Sequence, residues 1–204
     1  HAQCIPHAGR MIETGIYKLP VTGPIHVTKE GLIGDVQVDR KNHGGPDKAI
    51  YVYTEENHHH WAKLLGQPHY GYGYFGENFT VTDLQDDTVH IGDIFSMGET
   101  IVQVTQPRVP CFKLGLKFGD PAYVGEFLTS GRTGFYLRVI REGLVHSGDT
   151  IRLLSLEDRP ITVSDAMRAL IKHPEQRRWI EKVLAVDALS SAWREVLRRR
   201  LNSD

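Results

Sequence analysis

From Gly15 to about Leu154, short apolar runs alternate with Gly, Pro, Asp and Asn, a pattern that is typical of a sheet or barrel. The runs predict nine strands, at Gly15–Leu19, Ile33–Gln37, Ala49–Tyr53, Phe79–Thr82, Thr88–Ile91, Ile94–Met97, Ile101–Gln106, Gly134–Arg141 and Asp149–Leu154. The phrases HIGDIF and HSGDTI each place Gly-Asp at a bend before a strand. This part of the chain is therefore expected to be mainly β.

Helical signals are few before Pro160 and dense after it. Thr54, followed by two glutamates and later by Gly66, predicts a helix that ends near Leu65, and residues 118–128 predict a second short helix. The last 40 residues or so predict three more helices, whose openings are marked by Ser164, by Pro174 with Glu175, and by Ser190.

These patterns predict a sheet or barrel with added helices. We place this mainly β domain at residues 15–160 and a small C-terminal three-helix domain at residues 161–204. Residues 1–14 have neither an initiator Met nor an apolar core, so we leave them out of the fold and expect a remnant or a disordered segment.

Composition excludes several classes of function. The chain has 204 residues with 24 Lys and Arg against 25 Asp and Glu, a net charge of −1, so it lacks the field that bulk nucleic-acid binding needs. Its apolar runs are far shorter than the ~20 residues that cross a bilayer. Cys4 and Cys111 lie far apart, which argues against a disulfide framework and favours a reducing cytoplasm.

The first candidate site is the loop DRKNHGGPDK at residues 39–48, which precedes an apolar strand. Its Gly-Gly-Pro run predicts a tight turn that holds His43, Asp47 and Lys48 at the rim of the sheet. Turn N–H groups and a Lys can bind phosphate, although the spacing is not that of a P-loop. A plain polar loop and a ligand-binding loop both remain open.

The second candidate is Cys111 in the segment QVTQPRVPCFKL, where a strand ends. Two prolines stiffen the segment, so Cys111 is expected on a rigid loop near Arg108 and Lys113. Neighbouring cations favour the thiolate, which attacks electrophiles or binds metal. The alternative is a small buried hydrophobic residue.

Two glycine-containing segments add weaker candidates. In YFGENFTV, the Gly76-Glu77-Asn78 phrase interrupts a β-forming run, so Asn78 is either a buried residue of a bulge or a partner for a heterocycle edge. In TSGRTGFYLRV, Arg132 lies in a turn that could meet a phosphate or be a turn alone.

Other motifs point away from chemistry. Consecutive histidines on a helix point about 100° apart, so His58, His59 and His60 cannot face one ion, and we expect a solvated helix face. GYGYFG has the letters of a dinucleotide fingerprint but no strand before it, so we predict a glycine-rich loop. A Gly-x-Ser-x-Gly elbow is missing from the sequence.

Taken in order, GLIGDVQVDRKNHGGPDKAIYVY, YFGENFTV, HIGDIF, TQPRVPCFKL, GRTGFYLRV and GDTIRLL resemble the MOSC family, named after the C-terminal domain of molybdenum cofactor sulfurase. The resemblance is strongest to its YiiM-like branch, associated with resistance to 6-N-hydroxylaminopurine. It spans about Gly15 to Leu154, and the helical tail looks like the small α domain of that branch. The amidoxime-reductase branch has Arg-Pro-Asn where this chain has Gly76-Glu77-Asn78.

The resemblance implies a barrel whose rim binds molybdenum cofactor (molybdopterin). It makes Cys111 the candidate sulfur ligand of molybdenum, and it places the loops of His43, Asp47 and Lys48, of Asn78 and of Arg132 around the cofactor, with Arg108 also holding it. Related proteins reduce small N-hydroxylated substrates with electrons from a separate donor protein. His43 is the candidate proton source, because an imidazole titrates near neutrality.

Two other functions remain open. The barrel could carry the cofactor, or a persulfide on Cys111, to another protein without turnover. It could also be an adaptor whose basic last helix, with arginines at 198–200, binds a partner.

Overall fold

The computed structural model describes residues 2–38, 44–68, 70–171 and 173–202. Within these residues, eleven strands form three sheets: β1 (Gln3–His7), β2 (Arg10–Thr14), β3 (Ile25–Thr28), β4 (Gly31–Leu32), β5 (Ile50–Thr54), β6 (Phe79–Val81), β7 (Ile94–Met97), β8 (Thr100–Pro107), β9 (Phe135–Arg141), β10 (Gly143–Val145) and β11 (Ile151–Ser155). Six strands in the order β11-β7-β8-β9-β5-β6 make a curled sheet, a half-barrel. The expected mainly β core with added helices is therefore confirmed.

Pairing in the half-barrel is antiparallel except between β5 and β6. These two strands run parallel because a helix, α1 (Glu55–Leu64), connects them. A smaller sheet has the order β10-β3-β4. The ends of β5, β8 and β9 meet where the candidate residues lie.

Three of the nine predicted strands are wrong. Residues 15–19, 33–37 and 88–91 form no strand. Two of these runs carry apolar side chains that stay exposed, since Leu19 is 82% exposed and Ile33 is 64% exposed. In the third run Val89 and Ile91 are buried, but the run does not form a strand. Its backbone makes hydrogen bonds to residues 161 and 163 instead of to a neighbouring strand. Apolar residues alone do not distinguish these turns from strands.

The helices after α1 are α2 (Phe112–Phe118), α3 (Ala122–Thr129), α4 (Val163–Arg168), α5 (Gln176–Leu184) and α6 (Ser191–Leu201). The short helix predicted within residues 118–128 is confirmed as α3, which begins at Ala122 because Gly119, with a φ of 77°, ends α2 before it. The cap of α4 is Thr162 instead of Ser164, while Ser190 caps α6 as predicted. None of the helices described is long and apolar enough to cross a membrane.

Two buried clusters lie on opposite faces of β5. Ile50 and Val52 belong to the larger cluster, which also contains residues of α4, α5 and α6. Tyr51 and Tyr53 belong to an aromatic cluster with Trp61, Phe75, Leu114 and Phe127. Alternation along the strand separates the two sets. The division of the chain at residue 160 stays a prediction, and the C-terminal helices share one core with the sheet.

Residues 3–14, which we left out of the fold, form a β1–β2 hairpin. It contacts α2, because the His7 ring stacks on Phe112 at a centroid distance of 5.0 Å and Lys113 Nζ donates to the Glu13 carbonyl at 3.3 Å. Because these contacts are polar and aromatic, the hairpin needs no apolar core of its own. The hydrophobic pattern of the sequence therefore did not predict it.

Candidate functional site

Cys111 lies just beyond the end of β8 and caps α2. Its backbone is extended, with φ −122° and ψ 168°, and its carbonyl accepts a hydrogen bond from Leu114 N at 2.9 Å. The side chain is half-buried. Pro107 and Pro110 end the strand ladder, so the thiol is presented at the point where the sheet stops and the helix begins.

Arg108 is the buried cation of this region. Its side chain is only 5% exposed, and the guanidinium carbon lies 5.1 Å from the centre of the Tyr51 ring and 5.3 Å from that of Phe127. Nη2 donates to the Phe75 carbonyl at 3.4 Å, whereas Nη1 has no hydrogen-bond partner among the described residues. These contacts are aromatic rings and a carbonyl, and the Tyr136 hydroxyl is a further hydrogen-bond partner of the Arg108 side chain; none of these groups carries a full negative charge.

The electrostatic surroundings keep Arg108 charged and link it to Cys111. Burial by itself lowers the pKa of the guanidinium, but nearby phenol groups and the Cys111 thiol raise this pKa above its usual value. A buried cation with an unpaired N–H is costly unless an anion or another acceptor completes it. The structure thus brings together two of the predicted site residues, Cys111 and Arg108, and Nη1 of Arg108 lacks a hydrogen-bond acceptor among the described residues.

Tyrosines of β5 form the floor of this site. Burial raises the pKa of Tyr51 and of Tyr53 well above the usual value, so both are neutral hydrogen-bond donors. Tyr51 Oη donates to the Thr133 carbonyl at 2.8 Å, and Tyr53 Oη donates to the Arg132 carbonyl at 3.1 Å. The β5 strand is therefore joined to the turn that precedes β9.

Glu77 organises the glycine-rich loop beside Arg108. It is 2% exposed, and its carboxylate accepts hydrogen bonds from Gly73 N at 2.6 Å, Phe75 N at 2.9 Å, Thr80 Oγ1 at 3.2 Å and His58 Nε2 at 2.8 Å. Burial raises the pKa of this carboxyl, but the hydrogen bond and charge of His58, together with backbone N–H donors, outweigh burial and leave the pKa lowered. The loop therefore holds the Phe75 carbonyl in place for Arg108.

The expected solvated face of three histidines is wrong for His58. His59 and His60 are exposed, but His58 is fully buried. Its ring packs edge-on against Phe75 at 4.8 Å and Tyr53 at 5.4 Å, because this side of α1 covers the aromatic cluster. The hydrogen bond to Glu77 satisfies Nε2 of the imidazole in this apolar setting.

Asn78 connects two backbone segments. Its Oδ1 accepts from Tyr51 N at 2.9 Å, and its Nδ2 donates to Asp35 Oδ2 at 2.8 Å. The half-buried side chain thus extends the β5 ladder. Its assignment to the cofactor stays a prediction.

The loop before β5 is described from residue 44 onward, so His43 lies outside the described residues. Asp47 pairs with Arg138 Nη2 at 2.8 Å and accepts from Ser191 N at 3.1 Å, at the first turn of α6. Lys48 ends a 3-10 turn and is half-buried. Asp47 therefore joins the loop to the C-terminal helix, and cofactor roles for the three residues stay predictions.

Arg132 directs its guanidinium toward α1. Its Nη1 donates to Asn57 Oδ1 at 3.1 Å, and Asn57 Nδ2 donates to Asp86 Oδ2 at 2.8 Å. The contacts observed for this side chain are with α1, whereas its carbonyl is joined to the site through Tyr53. A role for Arg132 at the cofactor stays a prediction.

Sequence reasoning missed the residues that support the site. Phe127, Asn57 and Asp86 carry no motif, and their roles appear only when distant segments meet. Tyr51 had a signal, because a tyrosine inside a buried strand needs a partner for its hydroxyl.

The described residues contain no group of three or more His, Cys, Asp and Glu that could hold a metal ion. A cavity of about 480 Å³ opens at the far end of α2, lined by Leu65, Gln67, Tyr70, Gly71, Tyr74, Phe118 and Tyr123. Cys111 and Arg108 are not among its lining residues.

Comparison with known proteins agrees with this geometry. The profile of the MOSC domain matches residues 39–152. The chain is 42% identical to YflK of Bacillus subtilis (strain 168) over 94% of this chain and 86% of that protein. The crystal structure of YiiM from Geobacillus stearothermophilus superposes with a TM-score of 0.82 at 32% identity, covering 98% of this chain and 95% of that one.

A fungal protein named reductase, from Gibberella moniliformis (strain M3125 / FGSC 7600), is 36% identical over 72% of this chain but only 26% of its own length. The match to the domain profile covers more than half of the chain, and the relatives in the preceding comparison are similar over nearly all of it. The chain therefore belongs to the MOSC domain family, in its YiiM-like branch.

Proposed function

We propose that this chain binds molybdenum cofactor beside Arg108 and Cys111 and reduces small N-hydroxylated base analogues such as 6-N-hydroxylaminopurine, with electrons from a separate donor protein. The observation that carries the proposal is the buried Arg108 guanidinium, 5% exposed, whose Nη1 has no partner among the described residues. The half-buried thiol of Cys111 lies three residues further along the chain and is among the groups that raise the pKa of Arg108.

The residues present fit this cofactor. A guanidinium can donate paired hydrogen bonds to phosphate, and its aromatic surroundings hold the planar group in one orientation. A thiolate is a soft ligand that suits a metal bound to sulfur. In this proposal Arg108 holds the anionic part and Cys111 supplies the protein sulfur, while Asp47, Lys48, Asn78 and Arg132 are further candidates from the sequence.

When bound, the cofactor would supply the two-electron reduction that removes oxygen from nitrogen. The net reaction is R–NHOH + 2 e⁻ + 2 H⁺ → R–NH₂ + H₂O, with the electrons from the donor protein. The chain's own part is to hold the cofactor, to exclude water with the aromatic cluster around Tyr51 and Phe127, and to deliver protons. His43 is proposed for the proton step. The fungal relative named reductase supports redox chemistry.

The test is reduction of 6-N-hydroxylaminopurine by protein from a cofactor-competent host, with an artificial electron donor. We expect turnover by the wild type, and loss of at least ~100-fold for Cys111→Ala. Cys4→Ala is the matched control, because Cys4 is exposed in the β1–β2 hairpin. Absence of turnover in a wild type that contains the cofactor would reject the reductase in favour of a carrier of cofactor or persulfide.

A further inference from the structure

Asp86 is a buried carboxylate that no sequence motif singles out. It lies between β6 and β7 and is 4% exposed. Its Oδ1 accepts from Thr133 N at 3.0 Å and Gly134 N at 2.7 Å, while its Oδ2 accepts from Asn57 Nδ2 at 2.8 Å. The carboxylate therefore binds the backbone N–H groups of the turn at residues 132–134, here called the β9 turn.

Hydrogen bonds join the β9 turn to the candidate site. All three of its carbonyl oxygens accept a hydrogen bond from the residues around Arg108: from Tyr53 Oη to Arg132 O at 3.1 Å, from Tyr51 Oη to Thr133 O at 2.8 Å and from Arg108 N to Gly134 O at 3.0 Å. The turn thus fixes the ring beneath the guanidinium and the backbone from which that guanidinium extends.

We propose that Asp86 is a positioning residue, which acts through the β9 turn to hold Arg108 in place beside Cys111. The inference rests on the proposed function for the role of the Arg108–Cys111 pair. It adds a buried acid on another loop that sets the geometry of this pair without touching it.

The neutral isostere cannot reproduce the arrangement. In Asp86→Asn, an amide NH₂ at the Oδ1 position would face the N–H groups of Thr133 and Gly134. At the Oδ2 position it would face the NH₂ of Asn57, which would have to rotate and turn its NH₂ toward Arg132. In the first orientation the two N–H groups of the β9 turn lose their acceptor. In the second those bonds remain, but the hydrogen bond from the Arg132 side chain of the turn to Asn57 is lost, so either orientation removes a contact that holds the turn.

The experiment measures alkylation of Cys111 by iodoacetamide as a function of pH, in a Cys4→Ser background so that one thiol reacts. It needs no cofactor. Because a fixed guanidinium favours the thiolate, we expect Arg108→Met to slow alkylation at pH 7 by about tenfold, and Asp86→Asn to slow it by about threefold with the midpoint moved to higher pH.

Asp93→Asn is the matched control. Asp93 is also buried, at 2% exposed, and accepts two backbone N–H bonds, from His90 at 2.9 Å and Glu157 at 3.1 Å, in another loop. It should lower the melting temperature and leave the alkylation midpoint unchanged. If Asp86→Asn behaves in the same way, Asp86 is structural only and the inference is wrong.

Tyr51→Phe keeps the test decisive if Asp86→Asn does not fold. It removes the hydroxyl that binds the β9 turn but keeps the ring under Arg108. We expect the midpoint to move in the same direction, and an unchanged midpoint would overturn the inference. If Arg108→Met itself leaves the midpoint unchanged while the other variants move it, the Arg108–Cys111 pairing of the proposed function fails instead.

Discussion

Glu77→Gln tests how the glycine-rich loop beside Arg108 is held. The carboxylate accepts four hydrogen bonds, three at Oε1 and one, from Phe75 N, at Oε2. In the amide, one oxygen becomes an NH₂ donor, so at least one buried N–H group loses its acceptor. Such a loss costs about 1–3 kcal/mol, and the remaining bonds lose their charged acceptor, at up to ~1 kcal/mol each.

Since the amide also avoids the cost of burying a charge, we expect a net loss of about 3 kcal/mol in the free energy of unfolding at pH 7. For a chain of this size that corresponds to a melting temperature lower by ~6–12 °C. Thr80→Val is the control, because it removes only the 3.2 Å hydroxyl bond and should cost about 1 kcal/mol. Calorimetry and denaturant titration measure both variants.

The pH dependence gives a second readout. The pKa of Glu77 is lowered in the fold, mainly because His58 opposes the effect of burial, so ionised Glu77 stabilises the fold above its usual value of 4.5. That contribution is lost as the pH falls through the lowered pKa. The difference between wild type and Glu77→Gln should therefore shrink below pH 4.5. A Glu77→Gln variant as stable as Thr80→Val at pH 7 would refute the four-bond account.

Three further perturbations have expected outcomes. Burial raises the pKa of Asp86 from 3.8 to about 6, so Asp86 binds a proton more tightly in the folded chain than in the unfolded chain. By linkage, the free energy of unfolding of the wild type should rise by up to ~3 kcal/mol relative to Asp86→Asn as the pH falls from 7 to 4 in denaturant titrations, and an unchanged difference would contradict the shift. Gly134→Ala should lower the free energy of unfolding by about 3 kcal/mol or more, because φ at this position is +68° and the new Cβ would lie 2.4 Å from the Val52 carbonyl oxygen. A melting temperature within about 2 °C of that of the wild type would contradict this expectation. Ser190→Ala removes the cap of α6 and the 2.6 Å hydrogen bond to Gln106. Unfolding in guanidinium chloride should therefore show a free energy of unfolding lower by ~2–3 kcal/mol, and a decrease under ~0.5 kcal/mol would show that the cap is dispensable.

Much of the half-barrel could be predicted from the sequence because alternation and turn residues act locally. The runs at 49–53 and 94–97 become β5 and β7 within one residue, and Ser190 caps α6 as expected. The run at 33–37 failed because its apolar side chains remain on the surface. Hydrophobic pattern predicts a strand only where the fold supplies a neighbour.

The site was less predictable because its support comes from distant segments. Cys111 and Arg108 share one segment, so their proximity could be read from the sequence. Asp86 meets the β9 turn across 47 residues and Glu77 meets His58 across 19, and neither pair has a characteristic spacing. Burial of His58 likewise follows from how α1 packs and not from the run of histidines.

The most direct measurement of the central claim is the molybdenum and pterin content per chain. Protein would be purified without oxygen from a cofactor-competent host as wild type, Cys111→Ala, Arg108→Met and the Cys4→Ala control. The account predicts near-stoichiometric molybdenum and pterin in the wild type and in Cys4→Ala, with at least ~10-fold less in the other two variants. Wild type without either component, or equal content in all four proteins, would contradict a cofactor site at Arg108 and Cys111.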